Sequence, residues 1–128
     1  MCLDYLKDRE DILSTKRTKD KLYTGYKVVK KLVLSNGEKL YKSDCRNFSF
    51  HKGINEADST FFLDCEISHK KYLSGFHIWA FKKGALKWVS NREAIIPVKF
   101  HKSWVVAAGV QFSNDVLVLN KMTIEEIK

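Results

Sequence analysis

"AIIPVKFHKSWVVAAGVQFSNDVLVLNKMTI" (94–124) contains three β-rich runs, 94–100, 104–112 and 115–124, separated by short polar segments. Val, Ile and aromatic residues dominate each run, and turn formers lie between them, which is the pattern of a strand meander. Pro97 has no N–H to donate to a ladder, so its strand should lie at a sheet edge or carry a bulge there. The end of the chain therefore predicts a three-stranded antiparallel unit.

Further strands are predicted upstream of this unit. "SNGE" (35–38) contains the Asn-Gly pair typical of a two-stranded hairpin, here joining "GYKVVKKLVL" (25–34) to "KLYKS" (39–43). We expect "NFSFH" (47–51) to form an edge strand, "KGINEAD" (52–58) a loop and "TFFLDCEI" (60–67) a buried strand.

The segment "SGFHIWAFKKGALKW" (74–88) changes period in its middle. Gly75, able to adopt a φ that other residues avoid, suits a turn into a strand, where Phe76 and Ile78 face one way and His77 and Trp79 the other. From Phe81 onward the apolar residues recur every three or four positions, which predicts a helix over about 81–90 with Trp88 in the core. Gly84 lowers the stability of that helix by about 1 kcal/mol relative to alanine.

These elements predict an α+β fold: a single domain with a largely antiparallel β-sheet, one packed helix at about 81–90 and a short N-terminal helix. The 128 residues suit one domain. Residues 1–22 contain charges of both signs and apolar residues near helical spacing. We therefore divide the chain into a charged N-terminal helix and linker, 1–22, and the α+β domain, 23–128.

Charge and cysteine content restrict the compartment and the partners. The 23 Lys and Arg against 15 Asp and Glu give a formal charge of +8, which suits an anionic partner or, equally, a lysine-rich solvated surface. Cys2, Cys45 and Cys65 form no CxxC pair, so we interpret them as reduced thiols. With no leader-like start and no long apolar run, a cytosolic protein without a membrane partner is expected.

Several short motifs resemble those of small uncharacterised bacteriophage and mobile-element proteins. They are Gly75-Phe76-His77, Ala85 with Trp88, Val98-Lys99-Phe100, "VVAAGVQ" (105–111), "VLV" (116–118) and "MTI" (122–124), with a further match at "GYKVV" (25–29). Ser103-Trp104 stands where that group more often has Arg-Gly. The resemblance implies an accessory protein of phage type, a class that includes inhibitors of host defence, without assigned catalytic residues.

The glycine-aromatic strand, the helix and the valine-rich strand are also similar to the second half of the ADP-ribosyltransferase core. That similarity implies that His77 and Trp79 border a nucleotide pocket. Enzymes of that family usually supply a glutamate on a late strand, whereas Glu125 and Glu126 follow the last predicted strand. A histidine between aromatic residues on a strand is more often a packed or half-exposed residue than a catalyst.

The remaining functional signal is the mixture of basic and aromatic residues in the second half of the chain. Such a mixture suits phosphate neutralisation and base stacking. Trp104, beside a turn, is either an exposed stacking platform or a cross-strand hairpin aromatic. The candidate partner-binding or nucleic-acid-binding residues are Lys82, Lys83, Lys87, Lys99, His101, Lys102 and Trp104.

The sequence therefore favours a small, basic, non-enzymatic binding protein that acts by occupying a surface of a host protein, a nucleoprotein or a nucleic acid. The alternative is a nucleotide-binding domain related to ADP-ribosyltransferases, with His77 and Trp79 in its pocket. The four histidines are scattered without zinc-ligand spacing, so no metal site and no cofactor are predicted.

Overall fold

The computed structural model describes residues 2–43 and 48–126, which form a mostly antiparallel β structure with little helix. The predicted Cys45 thiol lies outside the described residues. The elements are β1 (Tyr5–Leu6), α1 (Arg9–Leu13), β2 (Thr18–Lys19), β3 (Leu22–Val33), β4 (Lys39–Lys42), β5 (Ser49–Phe50), β6 (Gly53–Glu56), β7 (Phe62–Asp64), β8 (Lys71–Leu73), β9 (Phe76–Trp79), α2 (Lys82–Trp88), β10 (Glu93–Phe100), a 3₁₀ turn (Lys102–Trp104), β11 (Val105–Gln111), β12 (Asn114–Leu119) and β13 (Lys121–Ile124).

Within the described residues, eleven strands form one sheet, whose main path runs β1-β11-β12-β9-β3-β10-β13-β6. Strands β2 and β4 also pair with β3, and β5 pairs with β4, while β7 and β8 form a separate hairpin. All of these pairings are antiparallel. The predicted antiparallel sheet of a single small domain is confirmed.

The predicted C-terminal meander is wrong in its connectivity. Strands β11 and β12 form the expected hairpin, but β10 pairs with β3 over its whole length rather than with β11. The run 115–124 is also divided at Asn120, so that β12 pairs with β9 and β13 with β10 and β6. The three predicted runs therefore pair in different parts of the sheet. Local composition does not specify which strands pair with one another.

The two faces of the sheet carry separate apolar clusters, as the alternation of side chains along a strand requires. The main core includes Phe76, Ile78, Leu117 and Leu119 together with Phe50 and, from α1, Ile12 and Leu13. The opposite cluster takes the alternate strand residues Trp79, Val116 and Val118, covered by Leu3, Cys65, Tyr72 and Ala85. The predicted orientation of residues 76–79 is therefore confirmed.

The N-terminal 22 residues contain less helix than expected. The short helix is present as α1, capped by the Asp8 side chain, which accepts a hydrogen bond from the Glu10 N–H. Tyr5 and Leu6 form a strand on β11 instead of helix, and Leu3 is fully buried. Apolar residues before α1 thus pack on the sheet.

The predicted 25–34 to 39–43 hairpin is confirmed, with β3 and β4 paired from Lys30↔Lys42 to Val33↔Lys39. Gly37 in its turn has φ +86°, a conformation that favours glycine. The loop predicted at 52–58 is wrong, because β6 forms there and pairs with β13. The buried strand predicted at 60–67 is reduced to β7, with Phe61 and Phe62 exposed, since its partner is only the short β8.

The glycine before β9 has a different role from the predicted one. Gly75 has no positive φ. A Cβ atom there would lie 2.4 Å from the Leu119 carbonyl oxygen, so the position needs a residue without a side chain. Close backbone packing, rather than an unusual turn, therefore explains Gly75.

Pro97 lies in β10, opposite Tyr26 of β3. On its other side, β10 is paired with β13 only at Lys99, so the sheet edge beside Pro97 carries no ladder among the described residues. A strand with one incomplete edge accommodates the missing N–H.

Helix α2 begins and ends close to the predicted positions. The prediction that its last residue, Trp88, lies in the core is wrong. Gly84 and Ala85 are buried, whereas Trp88 is 46% exposed. The helix has only seven residues, and only Gly84 and Ala85 of them are buried. None of the helices that the structure describes is long and apolar enough to cross a lipid bilayer.

We predict that Gly84→Ala destabilises the protein, although alanine favours a helix by about 1 kcal/mol. The new Cβ would lie 2.8 Å from Cε3 of Trp79, a buried ring with little room to move. Overpacking of a core costs about 1–3 kcal/mol, so we expect a net loss of up to about 2 kcal/mol by urea denaturation. Leu86→Ala, at an exposed site of the same helix, is the matched control, and equal stability of the two variants would contradict the packing argument.

Candidate functional site

Helix α2 presents three lysines to solvent. Lys82, Lys83 and Lys87 are exposed, because Gly84 and Ala85 supply the buried side. Lys83 and Lys87 are one helical turn apart and therefore share a face. The ion pairs found among the described residues involve none of these three lysines, so their charges stay uncompensated at short range.

An exposed pair of aromatic rings lies at the end of this helix. The rings of Trp88 and Phe112 are 4.4 Å apart at their centroids with an interplanar angle of 32°. Phe112 is 51% exposed, so both rings contact solvent although each also covers the other. Large half-exposed aromatic groups are typical of binding surfaces.

Phe112 occupies a strained two-residue turn between β11 and β12. Phe112 and Ser113 have φ of 49° and 65°, values that hairpin turns usually give to Asn and Gly. The Asp4 carboxylate accepts the Phe112 N–H at 2.9 Å, and the Asn114 side-chain amide donates to the Phe112 carbonyl at 2.8 Å. A bulky residue held in this conformation is unusual, and such strain is concentrated at functional sites.

Two of the remaining predicted basic residues are already engaged. Lys99 on β10 donates to the Thr24 hydroxyl at 2.6 Å, and Lys102 forms an ion pair with Glu10. No hydrogen bond or ion pair of the described chain joins them to the α2 lysines. The predicted set of seven residues therefore lies on three elements: α2, β10 and the turn segment 101–104.

Trp104 does not offer the expected exposed platform. It is partly buried against the main core, and the His101 ring packs on it edge-on at 4.8 Å. It also lies in the 3₁₀ turn rather than in a hairpin strand. The exposed tryptophan is Trp88, at 46%, whereas Trp104 packs on the main core.

A cavity of about 340 Å³ opens where the sheet forks. Strands β3 and β9 pair only at Tyr26↔Trp79 and then diverge. In the gap the Lys27 ammonium donates to the His77 carbonyl at 2.8 Å. The cavity is lined by Cys2, Lys27, Val28, Ser43, Phe48, Phe50, Ala57, Asp58, Leu63, Gly75, Phe76, His77 and Trp79.

The structure thus brings His77 and Trp79 to one cavity, although both side chains are buried. The His77 Nε2 lies 3.0 Å from the Tyr72 hydroxyl, and its Nδ1 lies 3.2 Å from the Gly75 carbonyl oxygen. Because the Gly75 carbonyl oxygen can only accept, Nδ1 carries the imidazole proton, and Nε2 accepts the Tyr72 hydroxyl proton. These bonds fix the ring, which favours a structural role; the nucleotide pocket stays a prediction.

Burial raises the pKa of Tyr72 to about 12, and the nearby Cys2 and Cys65 add to this, while the hydrogen bond from Leu3 opposes it. The hydroxyl therefore stays protonated at neutral pH and acts as a donor. Cys2 and Cys65 are free thiols, as expected.

The late glutamates lie away from His77. Glu125 and Glu126 line a different cavity, of about 310 Å³, beside β10, with Lys31 and Lys99. Across residues 2–43 and 48–126, no three His, Cys, Asp or Glu side chains are grouped as metal ligands.

Phe112, Lys27 and Tyr72 were not among the residues predicted from the sequence. The "QFSN" segment (111–114) carried one signal, because an aromatic residue in a two-residue hairpin turn is unusual. No sequence pattern indicated Lys27 or Tyr72, because their roles depend on the fork between β3 and β9 and on the position of Leu3.

Another missed lysine, Lys16, lies at the junction of α1 and β9. Its ammonium donates to the Ala80 carbonyl oxygen and lies 4.5 Å from the centroid of the Phe81 ring. Burial lowers the pKa of Lys16 to about 8. A part of this amine is therefore uncharged at mildly alkaline pH.

Comparison with family models, with curated proteins and with solved structures gives no match for this chain. The site is therefore interpreted from its own chemistry.

We predict that Tyr72→Phe lowers the free energy of unfolding by about 1–3 kcal/mol, since the buried Leu3 N–H and His77 Nε2 lose their partner. Between pH 10 and 12 the unfolded wild type loses the Tyr72 proton while the folded one keeps it, so wild-type stability falls there. The variant should lack this part of the decrease in urea denaturation. Tyr5→Phe, at an exposed site, is the control; a similar effect there would contradict the assignment.

Lys16→Met tests the buried ammonium. Above pH 8 the folded protein releases the Lys16 proton while the unfolded chain keeps it up to about pH 10.5, so Lys16 makes the wild type more stable as the pH rises through that window. The stability of Lys16→Met relative to wild type should therefore fall from pH 7 to pH 9 in urea denaturation. Lys19→Met, at an exposed position nearby, should show no such trend. A pH-independent difference for Lys16→Met would refute the assignment.

Proposed function

We propose that this chain is a non-enzymatic binding protein that takes single-stranded nucleic acid on a basic aromatic face formed by Lys82, Lys83, Lys87, Trp88 and Phe112. The observation that carries the proposal is the half-exposed pair of tilted rings, Trp88 and Phe112, at the end of a helix whose three exposed lysines form no ion pair with a described residue. Lysines neutralise phosphates, and aromatic rings stack on unpaired bases of any sequence.

The strained turn supports the same proposal. Asp4 and Asn114 hold the Phe112 backbone in its left-handed conformation, which fixes the ring against Trp88. A platform that is already ordered loses little conformational entropy when a base stacks on it. Duplex DNA would not offer its base faces to such a pair, so an unpaired strand is favoured.

The proposed setting is the cytosol of a bacterial host, where a protein of phage or mobile-element type would bind the exposed strand of a host nucleoprotein and block it by occupancy. Support for this setting comes from the resemblance of the motifs at 75–77, 105–111 and 116–118 to such proteins. An inhibitor of this kind requires surface complementarity and no reacting group.

Fluorescence anisotropy with a labelled 15-nucleotide poly(dT) or poly(U) strand tests the proposal. We expect binding that weakens as salt rises, because lysines displace counterions from the strand. Lys82→Glu with Lys83→Glu should reduce the affinity at least tenfold and flatten the salt dependence. The charge-matched control, Lys39→Glu with Lys52→Glu, changes exposed lysines outside this face and should have a smaller effect.

Trp88→Ala separates stacking from charge. We expect a loss of about 1–3 kcal/mol in binding free energy with an unchanged salt slope, since a stacked base is lost but no phosphate contact. Thermal denaturation of each variant confirms that the fold persists. Equal losses for the two lysine pairs, together with no effect of Trp88→Ala, would show that binding is diffuse and would refute the proposed face.

A further inference from the structure

The cavity at the fork of the sheet differs from the basic aromatic face in both shape and chemistry. Three phenylalanines form one wall: the ring centroids of Phe48 and Phe50 are 5.2 Å apart, and both rings meet Phe76 edge-on at 5.4 and 5.7 Å. Val28, Leu63 and Trp79 enclose it from the side of the second cluster. The enclosure is therefore mostly apolar and aromatic.

Among the described residues, the polar groups of this cavity differ in role. Lys27 brings a positive charge to the wall, 5.9 Å from the centroid of the Phe50 ring. His77 is held by Tyr72 and Gly75, as described above. At the exposed rim, the Asp58 carboxylate accepts bonds from the Thr60 N–H at 3.0 Å and from the Thr60 hydroxyl.

We propose that this cavity binds a small aromatic carboxylate, with its ring among the phenylalanines and its carboxylate on the Lys27 ammonium. Protein interiors contain few voids larger than a water molecule, and pockets of about 300–1,000 Å³ with apolar walls and a few polar groups are typical of small-ligand sites. The charge at the wall selects an anion, and the aromatic wall selects a flat ring.

A monocarboxylate fits this lining better than a nucleotide. A ribose and a phosphate would bring many polar atoms against apolar walls, where each unpaired group is unfavourable. The Asp58 carboxylate at the rim would also repel a dianion more strongly than a monoanion. This proposal does not rest on the proposed nucleic-acid face, because the two sites share no residue.

Isothermal titration calorimetry of the full chain with 2-naphthoate, its neutral isostere 2-naphthamide, and adenosine monophosphate tests the proposal. We expect one site for naphthoate, with naphthamide bound at least tenfold more weakly because it lacks the charge-assisted bond. Naphthoate that does not bind at millimolar concentration, or that binds no better than its amide, would overturn the proposal. Tighter binding of adenosine monophosphate would overturn it in favour of a nucleotide.

Variants locate the site. Lys27→Met keeps the alkyl stem and removes the charge, so naphthoate should bind about tenfold or more weakly and the preference over naphthamide should disappear. Lys121→Met, a half-buried strand lysine outside the cavity, is the matched control and should bind as wild type does.

Ala57→Leu fills the cavity from its half-buried edge and should abolish binding of both naphthalene compounds. It leaves the Lys27 charge in place, so it also tests the location if Lys27→Met fails to fold. Unchanged binding to Ala57→Leu would place the ligand elsewhere and refute the assignment.

Discussion

The pair Tyr26↔Trp79 joins the two parts of the sheet, because β3 and β9 share no other ladder position in the described chain. Beyond this pair the strands separate, and the Lys27 side chain reaches across to the His77 carbonyl instead of a backbone donor. The cavity occupies the resulting gap. The ring of Trp79 also packs against Gly84, so the same residue sets the distance at which α2 covers the sheet. The cavity and the exposed lysines of α2 therefore depend on one buried indole and its backbone.

The distribution of charge follows from the distribution of carboxylates. Glu10, Asp64, Asp115 and Glu56 each meet a basic residue, which lies on the 3₁₀ turn, β8, the N-terminal segment and β13, respectively. Helix α2 contains no acidic residue, and its lysines take part in none of the ion pairs of the described residues. Exposed ion pairs contribute little stability, but they cancel the local potential. The positive potential that results from the net charge of +8 is therefore strongest where no carboxylate lies nearby.

Two sites of different chemistry follow from one fold. Where strands diverge inside the sheet, apolar side chains and one ammonium enclose a small volume. Between β11 and β12, a strained turn places the Phe112 ring at the surface. Hydrogen bonds of the Asp4 and Asn114 side chains with the Phe112 backbone hold this turn in place. The cavity suits a small molecule, and the exposed aromatic ring suits an unpaired base of a flexible nucleic-acid strand. Neither requires a reacting side chain.

The sequence alone determined the local features: the strand periods, the hairpin at 35–38, the helix α2 and the opposite faces of His77 and Ile78. Each depends on residues within a few positions of one another, so composition and period suffice to predict it. The tertiary structure decided which strands pair, why the run 115–124 divides into two strands with different partners, and why Trp88 is more exposed than Trp104. It also decided the lining of the cavity, where Lys27 and His77 meet from strands fifty residues apart. Such contacts depend on the packing of the whole chain, and a local pattern contains no information on the partner strand.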